Sequence, residues 1–269
     1  MDGDILFAFA LTLFAGLATG IGSLLAFFTK RTNTKFLSIA LGFSAGVMIY
    51  VSLVEIFVKA KDELVLELGL TNGYWATIAG FFGGMLLIAL IDRLIPAIGN
   101  PHDVKSVEDV NAGPTNDEYA KLKKMGMFTA LAIAIHNFPE GIATFTSALQ
   151  DPTLGIAIAI AVAIHNIPEG IAVAVPIYFA TGNRKQAFKL SFLSGLAEPV
   201  GAIVAYLILM PYLNGIMFGV IFAAVAGIMV FISIDELLPA AREYGEAHLS
   251  VYGMMAGMAV MAVSLVLVA

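Results

Sequence analysis

Residues 134–143 read AIHNFPEGIA and residues 163–172 read AIHNIPEGIA, identical at nine of ten positions and 29 residues apart. Each copy lies inside a long apolar run, so a histidine, an asparagine, a proline and a glutamate are placed twice where hydrocarbon is expected. The two runs, near 125–149 and 154–180, are joined by only a few residues. They are therefore expected to form an antiparallel pair of membrane-spanning helices. Everything else in the chain is read outward from that pair.

The remainder has the composition of a membrane protein. Of 269 residues, 59% are hydrophobic and 13% charged, and the mean hydropathy is +0.91. A soluble domain carries about half apolar and about a quarter charged residues. A bilayer core of about 30 Å needs about 20 mostly apolar residues per helix. Further runs of that kind lie near 5–29, 36–58, 74–96, 186–209, 213–239 and 249–269, making eight spans. None alternates apolar and polar residues as the strands of a membrane barrel would. The first run has no basic leader and exceeds the length of a signal-peptide core, so it is read as a span. The expected fold is an all-α polytopic membrane protein with eight transmembrane helices, one domain covering 1–269.

Charge sets an orientation. Lys30, Arg31, Lys35, Arg93, Lys105, Lys121, Lys123, Lys124, Arg184, Lys185, Lys189 and Arg242 all fall on one side, and only Lys59 and Lys61 on the other. By the positive-inside rule both termini face outward, with the chain expected in the cell (inner) membrane. The polar segment at about 97–124 is then a cytoplasmic loop. Its His102, Asp103, Glu108 and Asp109 read as solvated linker residues. A net charge of −6 offers no basic footprint for nucleic acid. The absence of cysteine removes disulfides, thiolate metal sites and cysteine nucleophiles.

Weaker repeats flank the central pair. AGVMIYVSLVEIFVKA (45–60) aligns with AGIMVFISIDELLPAA (226–241) at an offset of 181, and GLATGIGSLLAF (16–27) with GLAEPVGAIVAY (195–206) at 179. On the predicted topology the members of each pair cross the membrane in opposite directions. An inverted three-helix repeat around a central antiparallel pair is the expected architecture, and such repeats characterise secondary transporters.

In H-N-x-P-E-G the His and Glu stand four residues apart, on one helix face, about 6 Å apart along the axis. His136 and Glu140 from one helix, with His165 and Glu169 from the other, form a nitrogen-and-oxygen ligand set. That set suits zinc, iron(II), cobalt, nickel or manganese better than copper(I) or calcium. Pro139 and Pro168 lack an N–H, so the carbonyls of Ile135 and Ile164 lose their usual donors and the helices are expected to kink. Asn137 and Asn166 project about 100° away from each His and offer amide oxygens to a second cation. Glu198, in GLAEPVGA, adds a third mid-span carboxylate. Its repeat partner is Thr19, so the halves differ there. Each ionised group at the bilayer centre costs about 2.5–3.5 kcal/mol, which argues against three glutamates as mere filling. Glu55 and Glu236 occupy matching places near the ends of their spans. Met48 reads as packing. Met254, Met258 and Met261 with Gly253 and Gly257 read as a helix-packing face that also offers a homodimer contact. His248 reads as a solvated loop residue.

These residues resemble the ZIP family of divalent metal transporters, its bacterial members most closely. The resemblance spans the chain: eight spans, outward termini, a long loop after the third, and HNFPEG and HNIPEG in the fourth and fifth. It implies import of zinc and other divalent metals, iron(II), cobalt, manganese and cadmium among them, as cargo rather than as a prosthetic group. It also implies a binuclear site. His136, Glu140, His165 and Glu169 would form one position. Asn137, Glu140, Asn166, Glu169 and Glu198 would form the other, with Glu140 and Glu169 bridging. The family further implies that spans one, four, five and six move as a unit. Many relatives carry a histidine-rich loop after the third span; this chain has only His102 there. The competing reading is an intramembrane zinc-dependent hydrolase, which needs an open metal position and a non-ligand base; the chain lacks H-E-x-x-H. An exporter or a passive channel would share the same topology.

Overall fold

The computed structural model describes residues 2–28, 34–94, 131, 134–135, 137–212, 214–244 and 247–268. Every element assigned among them is helical. Helix α1 is Asp2–Phe28 and α2 is Thr34–Val51. A π-helical turn, Ser52–Ile56, carries α2 on into α3, Phe57–Leu68, and α4 is Leu70–Leu94. Helix α5 covers 137–150 and α6 is Pro152–Thr181. Helices α7 (Arg184–Gly195) and α8 (Ala197–Val204) follow, then a π-turn, Ala205–Leu209. Helix α9 is Gly215–Ile232, a third π-turn is Ser233–Leu237, α10 is Leu238–Tyr244 and α11 is Ala247–Val268.

Helices dominate because a backbone in hydrocarbon must satisfy its own polar groups. Seven of these rods are long and apolar enough to cross a membrane: Gly3–Leu24, Ser38–Leu68, Leu70–Arg93, Pro152–Val175, Arg184–Ile208, Gly215–Arg242 and His248–Val266. Helix α5 supplies the C-terminal part of the predicted fourth span. The N-terminal part of that span and the 97–124 loop lie outside the described residues. Lipid-facing positions are apolar. On α4, Leu70, Tyr74, Trp75, Ile78, Phe82, Leu86, Leu87 and Leu90 are all exposed.

The connections are short because their residues cap helices. Asp151, the sole residue between α5 and α6, accepts from the N–H groups of Thr153 (2.9 Å) and Leu154 (3.4 Å), with Pro152 opening the helix. Gly182 takes the left-handed conformation at the end of α6, and Asn183 caps α7 through the Gln186 N–H at 3.2 Å. Asn214 caps α9 through the Met217 N–H at 2.9 Å.

Two boundaries differ from the sequence expectation. The second rod runs to Leu68 instead of ending near 58, so Lys59 and Lys61 lie on a helix and not in a loop. The extension is amphipathic. Ala60 and Leu64 are buried while Lys59, Asp62, Leu66 and Glu67 are exposed, and that mixture dilutes the apolar signal. The sixth span is broken at Leu196, which puts Glu198 in the first turn of α8. His248 lies on α11 rather than in a loop, exposed, its ring parallel to Tyr252 at 6.3 Å.

The inverted repeat is visible in atomic contacts. A methyl group placed on Gly16 would fall 2.5 Å from the Gly195 carbonyl oxygen, and one on Gly195 would fall 2.5 Å from the Gly16 carbonyl oxygen. These two residues are partners at the offset of 179, so the pseudo-two-fold axis passes between them. Gly22 abuts the Ile167 carbonyl and Gly201 the Phe138 carbonyl. Gly170 abuts the Thr19 carbonyl and Gly141 that of Glu198. Each pair maps onto the other by the offsets 179 and 29. The π-turns Ser52–Ile56 and Ser233–Leu237 are also 181 residues apart. The symmetry extends to helices whose sequences showed no match. Gly84 meets the Ala224 carbonyl as Gly257 meets that of Phe43, which makes α4 the counterpart of α11.

Helix α1 packs along α6, α7 and α8, whereas α2 packs on α11 and α4 on α9 and α3. Helix α6 meets α2 and α11 across the boundary between these groups. Gly253 and Gly257 press against the Ile39 and Phe43 carbonyls of α2, so the small-residue face of α11 is spent within the chain. Met48 is fully buried in the main core.

Candidate metal site

The second copy of the motif lies on α6, and residues 137–143 of the first lie on α5. Helix α6 remains helical through Pro168 and Pro176 to Thr181. Glycines following the two motif glutamates let α8 and α1 backbone come close, as described above. The pair is thereby fixed against the crossing of α1 with α7 and α8.

The described polar side chains of the predicted set are buried: Asn137, His165, Asn166 and Glu198 at 0% exposure and Glu140 and Glu169 at 1%. Nε2 of His165 lies 3.3 Å from Oε2 of Glu140, joining the two helices through one imidazole and one carboxylate. The second imidazole nitrogen, Nδ1, has no hydrogen-bond partner among the described residues. The Ser44 hydroxyl donates to the His165 backbone carbonyl at 3.2 Å, a link from α2 to α6.

The asparagines act in a matched way. Asn166 donates from Nδ2 to the Ala15 carbonyl at 2.9 Å, and Asn137 from Nδ2 to the Ser194 carbonyl at 3.4 Å. Ala15 and Ser194 are themselves repeat partners at 179. Each amide nitrogen is thus committed to a backbone brace, which turns the amide oxygen the other way. The Asn166 oxygen has no donor among the described residues. Asn166 also donates to Oε1 of Glu198 in a short contact. Asn166 and Glu198 are thus in contact through the amide nitrogen and not the amide oxygen.

The predicted residues are grouped as His165 with Glu140 and Asn166 with Glu198. Glu169 is buried one turn after His165 on α6. His136 lies outside the described residues. Among those residues no group of three or more His, Asp and Glu side chains is gathered closely enough to hold a metal ion. The set read from the sequence also contains His136 and two asparagines. What the sequence did not reveal is the Ser44 link and the two asparagine braces. Both join residues more than 50 positions apart through a backbone carbonyl, for which no residue pattern is required.

An all-helical bundle with seven rods long and apolar enough to cross a membrane among the described residues, and with buried carboxylate, imidazole and amide groups inside it, has the build of a polytopic membrane protein. The sequence matches the family described as ZIP Zinc transporter over residues 100–265. It is 76% identical over 267 residues to the zinc transporter ZupT of Lysinibacillus sphaericus (strain C3-41), covering 99% of each chain. It is 71% identical over 266 residues to that of Oceanobacillus iheyensis and 61% over 267 residues to that of Streptococcus mutans, again covering 99% of each chain. The chain belongs to the ZIP family: it is a divalent metal transporter and not an enzyme. That sets aside the hydrolase alternative.

Proposed function

We propose that the chain imports divalent transition-metal cations, zinc first and iron(II), cobalt, manganese and cadmium as further cargo, across the inner membrane into the cytoplasm. Both termini face the extracytoplasmic side, in keeping with the lysine and arginine distribution. The cations bind at mid-membrane in two adjacent positions. His136, Glu140, His165 and Glu169 hold one; Asn137, Asn166 and Glu198 hold the other together with the two motif glutamates. The observation that carries this reading is the meeting of His165 and Glu140 across α5 and α6, with Nδ1 of the same imidazole unpartnered among the described residues. Metal ligation by this pair requires neutral imidazole and ionised carboxylate.

Alternating access follows from the two packing groups. Helices α1, α5, α6, α7 and α8 move together against α2, α3, α4, α9, α10 and α11, and the cation travels on the moving group. Glu55 and Glu236 sit in the paired π-turns, half-buried, where the helices of the second group are locally unwound. The test is metal uptake into proteoliposomes with a panel of divalent ions, comparing the wild type with Glu140→Ala and His165→Ala. Inward zinc flux that collapses in both variants supports the reading. Tight binding without flux under any gradient overturns it.

A further inference from the structure

Thr19 stands where the repeat places a carboxylate in the other half, since its partner at 179 is Glu198. The side chain is fully buried, and its hydroxyl has no hydrogen-bond partner among the described residues. A threonine inside a helix ordinarily donates to the carbonyl four residues earlier. Thr12, Thr77, Thr146 and Thr181 do so, at 2.9, 2.8, 2.7 and 2.7 Å, whereas Thr19 and Thr144 are the two buried threonines without a partner among the described residues. For Thr19 that carbonyl belongs to Ala15, and it already accepts Asn166 Nδ2 in addition to its helical N–H. Both lone pairs are occupied. The brace that positions Asn166 therefore releases the Thr19 hydroxyl.

The freed hydroxyl lies against Gly195, where a methyl group would come within 2.9 Å of it. Gly195 follows Ser194, whose carbonyl accepts Asn137, and precedes Glu198 by one helical turn. The Thr19 oxygen thus lies against the residue next to the one whose carbonyl accepts Asn137, while Glu198, its repeat partner, bonds Asn166 directly. A buried hydroxyl without a partner is unfavourable, and a water or a hydrated cation in the adjoining site would supply one.

We propose that Thr19 is a further residue of the metal site: its hydroxyl holds a water molecule of the second cation, in the place that the Glu198 carboxylate fills on the other side of the pseudo-two-fold axis. This rests on the two-cation reading above. A neutral group here leaves the second position with one fewer negative charge than a symmetric site would have. That favours release of the ion over its retention.

The test is zinc titration of the purified full chain by calorimetry, for the wild type, Thr19→Val and Thr19→Ser, with thermal unfolding followed in parallel. Valine is nearly isosteric and removes only the hydroxyl. The wild type is expected to bind two ions. Thr19→Val is expected to keep the first and bind the second about 10- to 100-fold more weakly, the usual effect of losing a group that supports a metal ligand. Thr19→Ser is expected to restore it. Equal binding of both ions by Thr19→Val, with unchanged or raised thermal stability, would reduce the hydroxyl to an idle polar atom and overturn the proposal alone. A wild type that binds a single ion would overturn the two-cation reading, and this proposal with it. Should Thr19→Val fail to fold, Thr19→Ala removes the same hydroxyl and is read in the same way.

Discussion

At the residue scale the asparagines have two duties. The amide nitrogen of Asn166 ties α6 to the Ala15 carbonyl on α1, while its oxygen, without a donor among the described residues, is the atom proposed for the metal. Asn166→Asp keeps an oxygen ligand but removes the donor and sets a second carboxylate beside Glu198. Metal affinity is expected to fall about 10- to 100-fold, as for other groups that orient a ligand, with calorimetric zinc binding as the measurement. Asn166→Leu, which removes both functions, is expected to be no better. Pattern alone singles out His165, Glu140 and Glu198 as candidates, because ionisable residues in apolar runs are costly enough to stand out, and Asn166 through its place in the doubled motif. Thr19 and Ser44 escaped that criterion. A hydroxyl costs little in a membrane helix, and its meaning depends on which distant carbonyl is already occupied.

At the element scale the close approaches are the vulnerable points. Gly141 faces the Glu198 carbonyl and Gly170 that of Thr19, with no space for a methyl group between them. Gly141→Ala and Gly170→Ala are each expected to cost about 1–3 kcal/mol by overpacking. The change would be measured as a lower midpoint of thermal unfolding in detergent, with uptake reduced because the backbone carrying the site is displaced. Gly83, with open space around it, is the control: Gly83→Ala is expected to leave both unchanged. The sequence showed the eight apolar runs and the pairing of the π-turn segments. It did not show that α3 prolongs the second rod, since a helix half in and half out of apolar surroundings mixes charged and aliphatic residues. Nor did it show that α4 matches α11, because helices that share only a glycine spacing and general hydrophobicity carry too little information to align.

At the scale of the whole molecule, the proposed site makes proton and metal competitors for the same atoms. Histidine and glutamate in water titrate near pH 6.5 and about 4.3, and the metal-binding form is the deprotonated one. Uptake at subsaturating zinc is therefore expected to fall as external pH is lowered from about 7 to about 5, and raising the zinc concentration should restore it. A steady rise in flux on acidification would show instead that protons drive transport. The absence of cysteine makes the topology directly measurable. Single cysteines introduced near Asp4 and at Val266 are expected to react with impermeant reagents from outside intact cells. One introduced at Lys185 is expected to react only after the membrane is opened.

The contact of Gly16 with Gly195 across the pseudo-two-fold axis has a consequence for energetics. In a carrier whose two halves were chemically identical, exchanging their conformations would turn the outward-open state into the inward-open one. The two states would then have equal free energy, with each populated half the time in the absence of a gradient. Each residue at which the halves differ lifts that degeneracy. Ser44, which grips the His165 carbonyl, has Val225 as its counterpart and can make no such bond there; Thr19 is opposed by Glu198. The resting bias of the transporter is thus expected to depend on a few mismatched pairs, and of these the Ser44–Val225 pair can be altered without touching the residues proposed to bind the ion.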